Sequence, residues 1–192
     1  MSRLQFRLEA QASGSRARAG RFRTLHNEVL TPLFMPVGTH ATVRAQRLES
    51  VLDSGSQILL ANTYHLLLRP GPEVFRKFGG IHGFMKWPKS VLTDSGGFQI
   101  GKGKWEGDWK ANSGCPKAQK KREQVLKWLD GIADYGMILD IPTWVIHDKN
   151  ASAKCQITTL QEAVDATKFN NDYFMKHRKG KNNGGAKFLN VL

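Results

Sequence analysis

The residues best suited to chemistry fall in one stretch, Ser90 to Gln99, SVLTDSGGFQ. Val91, Leu92 and Thr93 form a short apolar, partly β-branched run, fit for the end of a buried strand. Asp94 stands where that run stops, and Ser95-Gly96-Gly97 then turn the chain ahead of Phe98. Two adjacent glycines carry no Cβ, so backbone and ligand can approach closely there. A carboxylate at a strand end, followed by exposed backbone N–H groups, suits holding a planar polar heterocycle and moving a proton. Taken alone, the same stretch is better explained by an aspartate capping a tight turn. Other polar residues follow apolar runs in the same way: Asn62 and Thr63 after QILLA, and Asp140 after the run from Tyr135 to Leu139. Carboxylates at neighbouring strand ends can accept hydrogen bonds from the ring and exocyclic N–H groups of a purine-like base, and one can serve as general acid/base.

The elements that must position these residues can be read from hydrophobic rhythm. Residues 1–32 read as a small antiparallel β prelude, because Leu4, Phe6 and Leu8 alternate with Arg3, Gln5 and Arg7. Arg16, Arg18, Arg21 and Arg23 form a row that either touches phosphates or is the solvated face of an edge strand. From Leu33 the rhythm changes, and residues 33–192 read as one α/β unit. Leu33–Gly38 is expected to be a short buried strand, Leu48–Leu52 a helix closed by Gly55, and Gln57–Ala61 a strand apolar on both faces. Glu73–Phe78 makes a helical turn or two between Pro70-Gly71-Pro72 and Gly79-Gly80. Pro116 begins a helix whose Val125, Leu129 and Ile132 share a face. Its lysines form either a phosphate-facing ridge or a solvated side. Thr159 with Glu162 fits a capping box for a helix running to His177, and KFLNVL (187–192) reads as a further strand.

Strands near residues 34, 58, 91, 137 and 188, separated by segments able to hold helices, imply right-handed parallel β-α-β units. In a (β/α) barrel, as in a doubly wound sheet, the carboxyl ends of the strands are the ligand face. That is where Asn62, Thr63, Asp94 and Asp140 fall.

Composition narrows the partners. Among 192 residues, Lys plus Arg number 29 against 16 Asp plus Glu, a net charge of +13, which favours a polyanion and above all nucleic acid. Cys115 and Cys155 form no metal-ligand spacing, so free thiols in a reducing compartment and no metal site within the chain are expected. The six histidines lie in separate segments. The glycine-rich GKGKWEGDWK (101–110) does not match the Walker pattern and reads as a basic loop, its Trp105 and Trp109 either stacking on bases or packing on their own domain. No apolar run approaches about 18 residues and no signal-peptide pattern opens the chain, so a soluble cytoplasmic protein without membrane contact is expected.

Several long stretches, in order, resemble the tRNA-guanine transglycosylases, also called queuine tRNA-ribosyltransferases. They are Ala19-Gly20-Arg21 with Thr31-Pro32, FMPVGTHATV (34–43), ILLANTYHLLLRPG (58–71), GGIHGFMKW (79–87) and LTDSGGFQ (92–99). The resemblance implies a TIM barrel with a small N-terminal antiparallel sheet. It also implies a glycosyltransferase of queuosine biosynthesis, which exchanges guanine in the tRNA anticodon for a 7-deazaguanine without cutting the backbone. By the same resemblance Asp94 is the general acid/base, Ser95, Gly96, Gly97 and Phe98 border the bound base, and Asp140 hydrogen-bonds it. Asn62 and Thr63 join the substrate-binding set, and members tend to form dimers.

Past Gln99 the resemblance weakens. The family's nucleophilic aspartate at ribose C1′ and its Cys-x-Cys-x-x-Cys…His zinc site come later in the family pattern than these 192 residues. Zinc is thus expected in full-length members and no cofactor within this chain. A complete barrel takes roughly 250 residues, so a partial barrel of about five strands is expected. The chain reads as an N-terminal fragment or truncated product not expected to exchange bases alone. Two further readings stay open: a relative that inserts deazaguanine into DNA, and a non-catalytic nucleic-acid-binding remnant.

Overall fold

The computed structural model describes residues 5–99, 116–129, 133–150, 157–177 and 187–189. At the amino end, alternation yields a three-stranded antiparallel sheet of β1 (Gln5–Gln11), β2 (Arg18–Arg23) and β3 (Glu28–Thr31) in that order. Phe6 lies opposite Phe22, which lies opposite Val29, so apolar residues share one face. On the other face Arg21 reaches Glu9 at 2.9 Å and Glu28 at 2.8 Å, and Arg7 reaches Glu9 at 2.7 Å. Of the arginine row, Arg21 is therefore neutralised by the sheet's own carboxylates. Such exposed pairs add little stability.

The second sheet is parallel, with β4 (Ile58–Asn62), β5 (Ser90–Asp94), β6 (Tyr135–Met137) and β7 (Lys187–Leu189) side by side in chain order. Helical segments fill the crossovers: α1 (Leu48–Asp53), α2 (Thr63–Leu68), α3 (Pro72–Lys77), α4 (Ile81–Met85), α5 (Gly97–Gln99), α6 (Pro116–Leu129) and α7 (Leu160–His177). The local signals act as expected at several ends. Pro72 opens α3, and α7 begins with the capping box, the Glu162 N–H donating to Thr159 Oγ1 at 3.1 Å and the Thr159 N–H to Glu162 Oε2 at 3.2 Å. Among the described helices, none is long and apolar enough to cross a membrane.

The expected strand Leu33–Gly38 does not form as a buried strand. It meets the sheet through a single parallel bridge, Val37 to Leu60, with Phe34 78% and Val37 54% exposed. Pro36 lacks an N–H, and within the described residues nothing pairs with this segment's outer side, so the ladder stops there. The described parallel sheet accordingly has four strands with this bridge at its edge, where five strands were expected. The expected basic loop, Ile132 and the last residues of KFLNVL lie outside the described residues.

One core joins the layers. Phe75 of α3 meets Trp128 of α6 edge-on at 4.6 Å and Phe84 of α4 at 4.8 Å, and Phe75 and Trp128 are wholly buried. Trp87 is also buried and donates its indole N–H to the Ser90 carbonyl at 2.9 Å, fixing the start of β5.

The two sheets are fastened at the amino-terminal ends of the parallel strands. Asp134, its side chain 1% exposed, accepts from His26 Nδ1 at 2.7 Å and His82 Nε2 at 2.9 Å. The backbone N–H groups of Val91 (2.9 Å) and Leu25 (3.3 Å) fill its remaining lone pairs. The two imidazoles stack at 3.7 Å. Beside them Thr24 Oγ1 pairs with Ser90 Oγ at 2.7 Å, and Asn27 Oδ1 accepts the Ser90 N–H at 2.8 Å. The β2–β3 turn is thus bolted to the first residue of β5.

Burial disfavours the charged form of Asp134, but the hydrogen bonds from His82, His26 and the Val91 N–H outweigh it and hold the carboxyl below its ordinary 3.8. A lowered folded value contributes stability that is complete above 3.8 and lost as pH falls through the folded value. Asp134→Asn is expected to cost about 3–5 kcal/mol at neutral pH, with the deficit shrinking in acid below that range. Urea denaturation across pH measures it. Phe75→Ala is expected to cost about 3–5 kcal/mol at every pH, because it leaves a cavity and removes no charge.

Candidate active site

The parallel register of β4 and β5 sets Asn62 directly beside Asp94 at the carboxyl ends of both strands. Asn62 Nδ2 donates to Asp94 Oδ2 at 3.1 Å, and its Oδ1 accepts the His65 N–H at 3.2 Å, capping α2. One amide therefore ends a strand, starts a helix and orients a carboxylate. Asp94 is the exposed last residue of an otherwise largely buried strand.

Beyond Asp94 the chain folds back onto the end of β6. Gly96 adopts φ +75°, and a methyl there would collide with Tyr64, so the turn needs glycine on both counts. A methyl on Gly97 would strike the Asp140 carbonyl. The two glycines thus let this turn lie against its neighbours on both sides. In the space so made Ser95, 1% exposed, donates its hydroxyl to Asp140 Oδ1 at 2.5 Å and accepts the Gly97 N–H at 3.0 Å. Asp140 is braced from behind by α7: Asn170 Nδ2 donates to the Leu139 carbonyl at 2.8 Å, and the Ile141 N–H donates to Thr167 Oγ1 at 3.0 Å.

Of the residues singled out from sequence, Asn62, Asp94, Ser95, Gly96, Gly97 and Asp140 are therefore brought together at one sheet edge. Phe98 is 49% exposed, its ring tilted against Trp144 at 5.1 Å, which leaves part of its face open. Thr63 is fully buried, and its Oγ1 has no hydrogen-bond partner among the described residues. Asp94 and Thr63 differ in this respect: the carboxylate meets solvent and the hydroxyl does not.

The carboxyl of Asp94 is pushed above its ordinary value. Crowding by protein is the largest influence. The Ser95 N–H draws it down, the nearby Asp140 charge raises it, and the Gly96 N–H and Asn62 amide oppose the rise. One edge reaches water, so the group can exchange protons while its charged form is disfavoured. That combination of a disfavoured charge and access to water suits general acid/base work.

A cleft of about 290 Å³ opens between Asp140 and the start of α7, lined also by Ile141, Pro142 and Thr167. A second, of about 660 Å³, lies on the opposite side of the strand ends, along the loop that follows Gly38.

The zinc site implied by the resemblance finds no ligand set here. Cys115 and Cys155 lie outside the described residues, and among those described the only group of metal-ligand types that converges is His26, His82 and Asp134. The four hydrogen bonds on that carboxylate already use its lone pairs, so the group fits a structural clasp and not the family's cysteine-rich site. Sequence reading passed over this clasp, because its members stand 56 and 52 positions apart and no local pattern joins them (His26, His82 and Asp134). It also passed over Tyr64, whose only signal was its place two residues after Asn62.

Comparison with known proteins identifies relatives of the chain. The family pattern described as queuine tRNA-ribosyltransferase matches residues 13–179. A queuine tRNA-ribosyltransferase of Gluconacetobacter diazotrophicus is 57% identical over 95 residues, half of this chain and 24% of that protein. One from Fusobacterium nucleatum is 58% identical over 85 residues, 44% of this chain and 23% of its own length. One from Thermus thermophilus is 57% identical over 95 residues, covering 50% and 25%. The chain spans about a quarter of the length of the curated relatives it matches. With the family pattern running through both the Asp94 turn and the Asp140 strand end, the chain belongs to the queuine tRNA-ribosyltransferase family.

Proposed function

We propose that this chain carries the base-binding and proton-transfer half of a tRNA-guanine transglycosylase site. The observation that carries the reading is the joining of two carboxylates across neighbouring strand ends, Asp94 held by Asn62 and Asp140 held by Ser95. The tRNA named in the relatives' descriptions supports that polymer over DNA. The sequential parallel order, with Val37 bridged at its edge, supports an arc of a (β/α)₈ barrel whose carboxyl-end face is the reaction face. The substrates are then tRNA and a free 7-deazaguanine, handled in the cytoplasm. Zinc belongs, by the resemblance, to a part of the family pattern beyond these residues.

The chemistry assigned to the chain follows from the two environments. Asp140, fixed on one oxygen by the Ser95 hydroxyl, has no hydrogen-bond partner on its other oxygen among the described residues, which leaves it to accept N–H groups from the base edge. Phe98 offers an apolar face alongside. As guanine leaves ribose C1′, charge gathers on its glycosidic nitrogen, and a protonated Asp94 donates to it. When the deazaguanine enters, the Asp94 carboxylate takes the proton from the attacking ring nitrogen. The same group thus serves as acid and then base, which its raised value favours. The nucleophile at C1′ belongs, by the family pattern, to a later strand.

Exchange of labelled guanine into tRNA by the protein carrying these residues tests the assignment. Asp94→Asn is expected to lower the rate by roughly 10²–10⁴-fold, and an unchanged rate would dismiss the role. Because the carboxyl is held above 3.8, its ionisation penalises the folded state: the penalty is absent below 3.8 and complete above the raised value. The same variant is therefore expected to raise the urea midpoint at neutral pH and to converge with the native chain in acid.

Ser95 is buried and its hydroxyl already bonded on both sides, so we assign it to positioning Asp140 and not to direct contact with the base. Ser95→Ala is expected to weaken base binding by about tenfold, the worth of one charge-assisted hydrogen bond, with a smaller effect on the rate at saturating base. A loss confined to the rate would contradict this.

A further inference from the structure

We infer that Thr167 and Asn170, on α7, are positioning residues that fix the backbone of Asp140 and so set how strictly the site selects a base edge rich in N–H donors. The inference rests on the base-binding reading above and deepens it, tracing the selectivity of Asp140 to a helix that follows it in the chain. Asp140 stands three residues past Met137, the last residue of β6 paired in the sheet. Among the described residues no ladder hydrogen bond reaches it. A carboxylate on an untied chain end would wander further than recognition of a flat ring tolerates.

Two side chains of α7 take the place of the ladder. Asn170 Nδ2 donates to the Leu139 carbonyl at 2.8 Å, and Thr167 Oγ1 accepts the Ile141 N–H at 3.0 Å. The carbonyl belongs to the peptide unit before the Asp140 Cα, and the N–H to the unit after it. Peptide units are planar, so tying both fixes the two soft backbone angles of Asp140 and with them the direction of its Cβ. The Ser95 hydroxyl then fixes the carboxylate itself. On the other side, the turn at Gly97 lies too close to the Asp140 carbonyl to admit a methyl.

Both residues stand on one face of α7, a single turn apart. That face is otherwise apolar, with Ala163, Ala166 and Phe174 all buried. Asn170 is 1% exposed, and an amide so placed costs stability unless it is hydrogen-bonded. The capping box of Thr159 and Glu162 fixes where α7 begins, and so the level at which the two side chains meet the strand end. Thr167 also lines the cleft of about 290 Å³ beside Asp140. With the Ile141 N–H spent on Thr167, and Pro142 having none, this strand end presents acceptors to that cleft. A base with adjacent ring and exocyclic N–H donors matches it. One without the amine leaves the carboxylate short of a partner.

The test compares 7-deazaguanine with 7-deazahypoxanthine, which lacks the exocyclic amine, in exchange into tRNA by the protein carrying these residues. The native protein is expected to favour the amine-bearing base by about tenfold or more, the worth of one hydrogen bond to a charged group. T167V and N170A are each expected to raise KM for 7-deazaguanine by about tenfold and to cut that preference to about twofold, with kcat at saturating base little changed. T167S keeps the hydroxyl and is expected to keep the native preference. F174A removes buried contacts from the same face of α7 without touching either bond, and is expected to lower the urea midpoint while keeping the preference. T167V preserves side-chain volume, so it carries the test even where N170A does not fold. An unchanged preference in T167V, or an equal loss in T167S or F174A, would overturn the positioning role. If the native protein exchanges neither base, the base-binding reading and the positioning role fall together; if it discriminates and T167V matches it, the positioning role alone falls.

Discussion

The site depends on one alignment, the parallel register that sets Ile58 against Ser90 and therefore Asn62 against Asp94. Side chains alternate along a strand, so a slip of one residue would turn Asp94 toward the opposite face and leave the Asn62 amide without it. Several independent contacts hold that alignment. Burial of Ile58, Leu59 and Val91 fixes which faces point inward. Trp87 and Asn27 pin Ser90, so β5 has a defined starting point. The carboxyl end of the strand is precise because its other end is tied.

What the turn after Asp94 adds is proximity between groups that repel. The Asp140 charge on the adjacent strand end contributes to the upward shift of Asp94. The Ser95 hydroxyl donates to Asp140, and the Asn62 amide with the Ser95 and Gly96 N–H groups offsets part of the cost at Asp94. Gly96 and Gly97 make the approach sterically possible. The raised value of Asp94 gives up some stability at neutral pH, the relation expected where stability is traded for function.

Much of this could be read in the sequence because it was local. The apolar run ending in Asp94, the Thr159–Glu162 box and the proline opening α3 each declare themselves within a few residues. The Leu33–Gly38 segment was read wrongly because an edge strand and a buried one share the same apolar letters; only the sheet decides how many neighbours a run has. α4 escaped notice because five residues between Gly80 and the left-handed Lys86 carry too little periodicity to register. The pairing of Ser95 with Asp140 bridges 45 residues, and the convergence of His26, His82 and Asp134 is wider still. Neither leaves a mark in any short window.

That last convergence bears on how the chain is born. The bond from His26 to Asp134 closes a loop of 108 residues, and the hydrogen bond from Thr24 to Ser90 spans 66. Contacts so far apart are made late, since closing long loops costs entropy before any contact repays it. During synthesis the amino-terminal sheet would emerge more than a hundred residues ahead of the carboxylate that secures it. Until then the His26 imidazole has no buried acceptor, and the sheet's apolar face must wait, a nascent-chain interval in which a chaperone would find the most to hold.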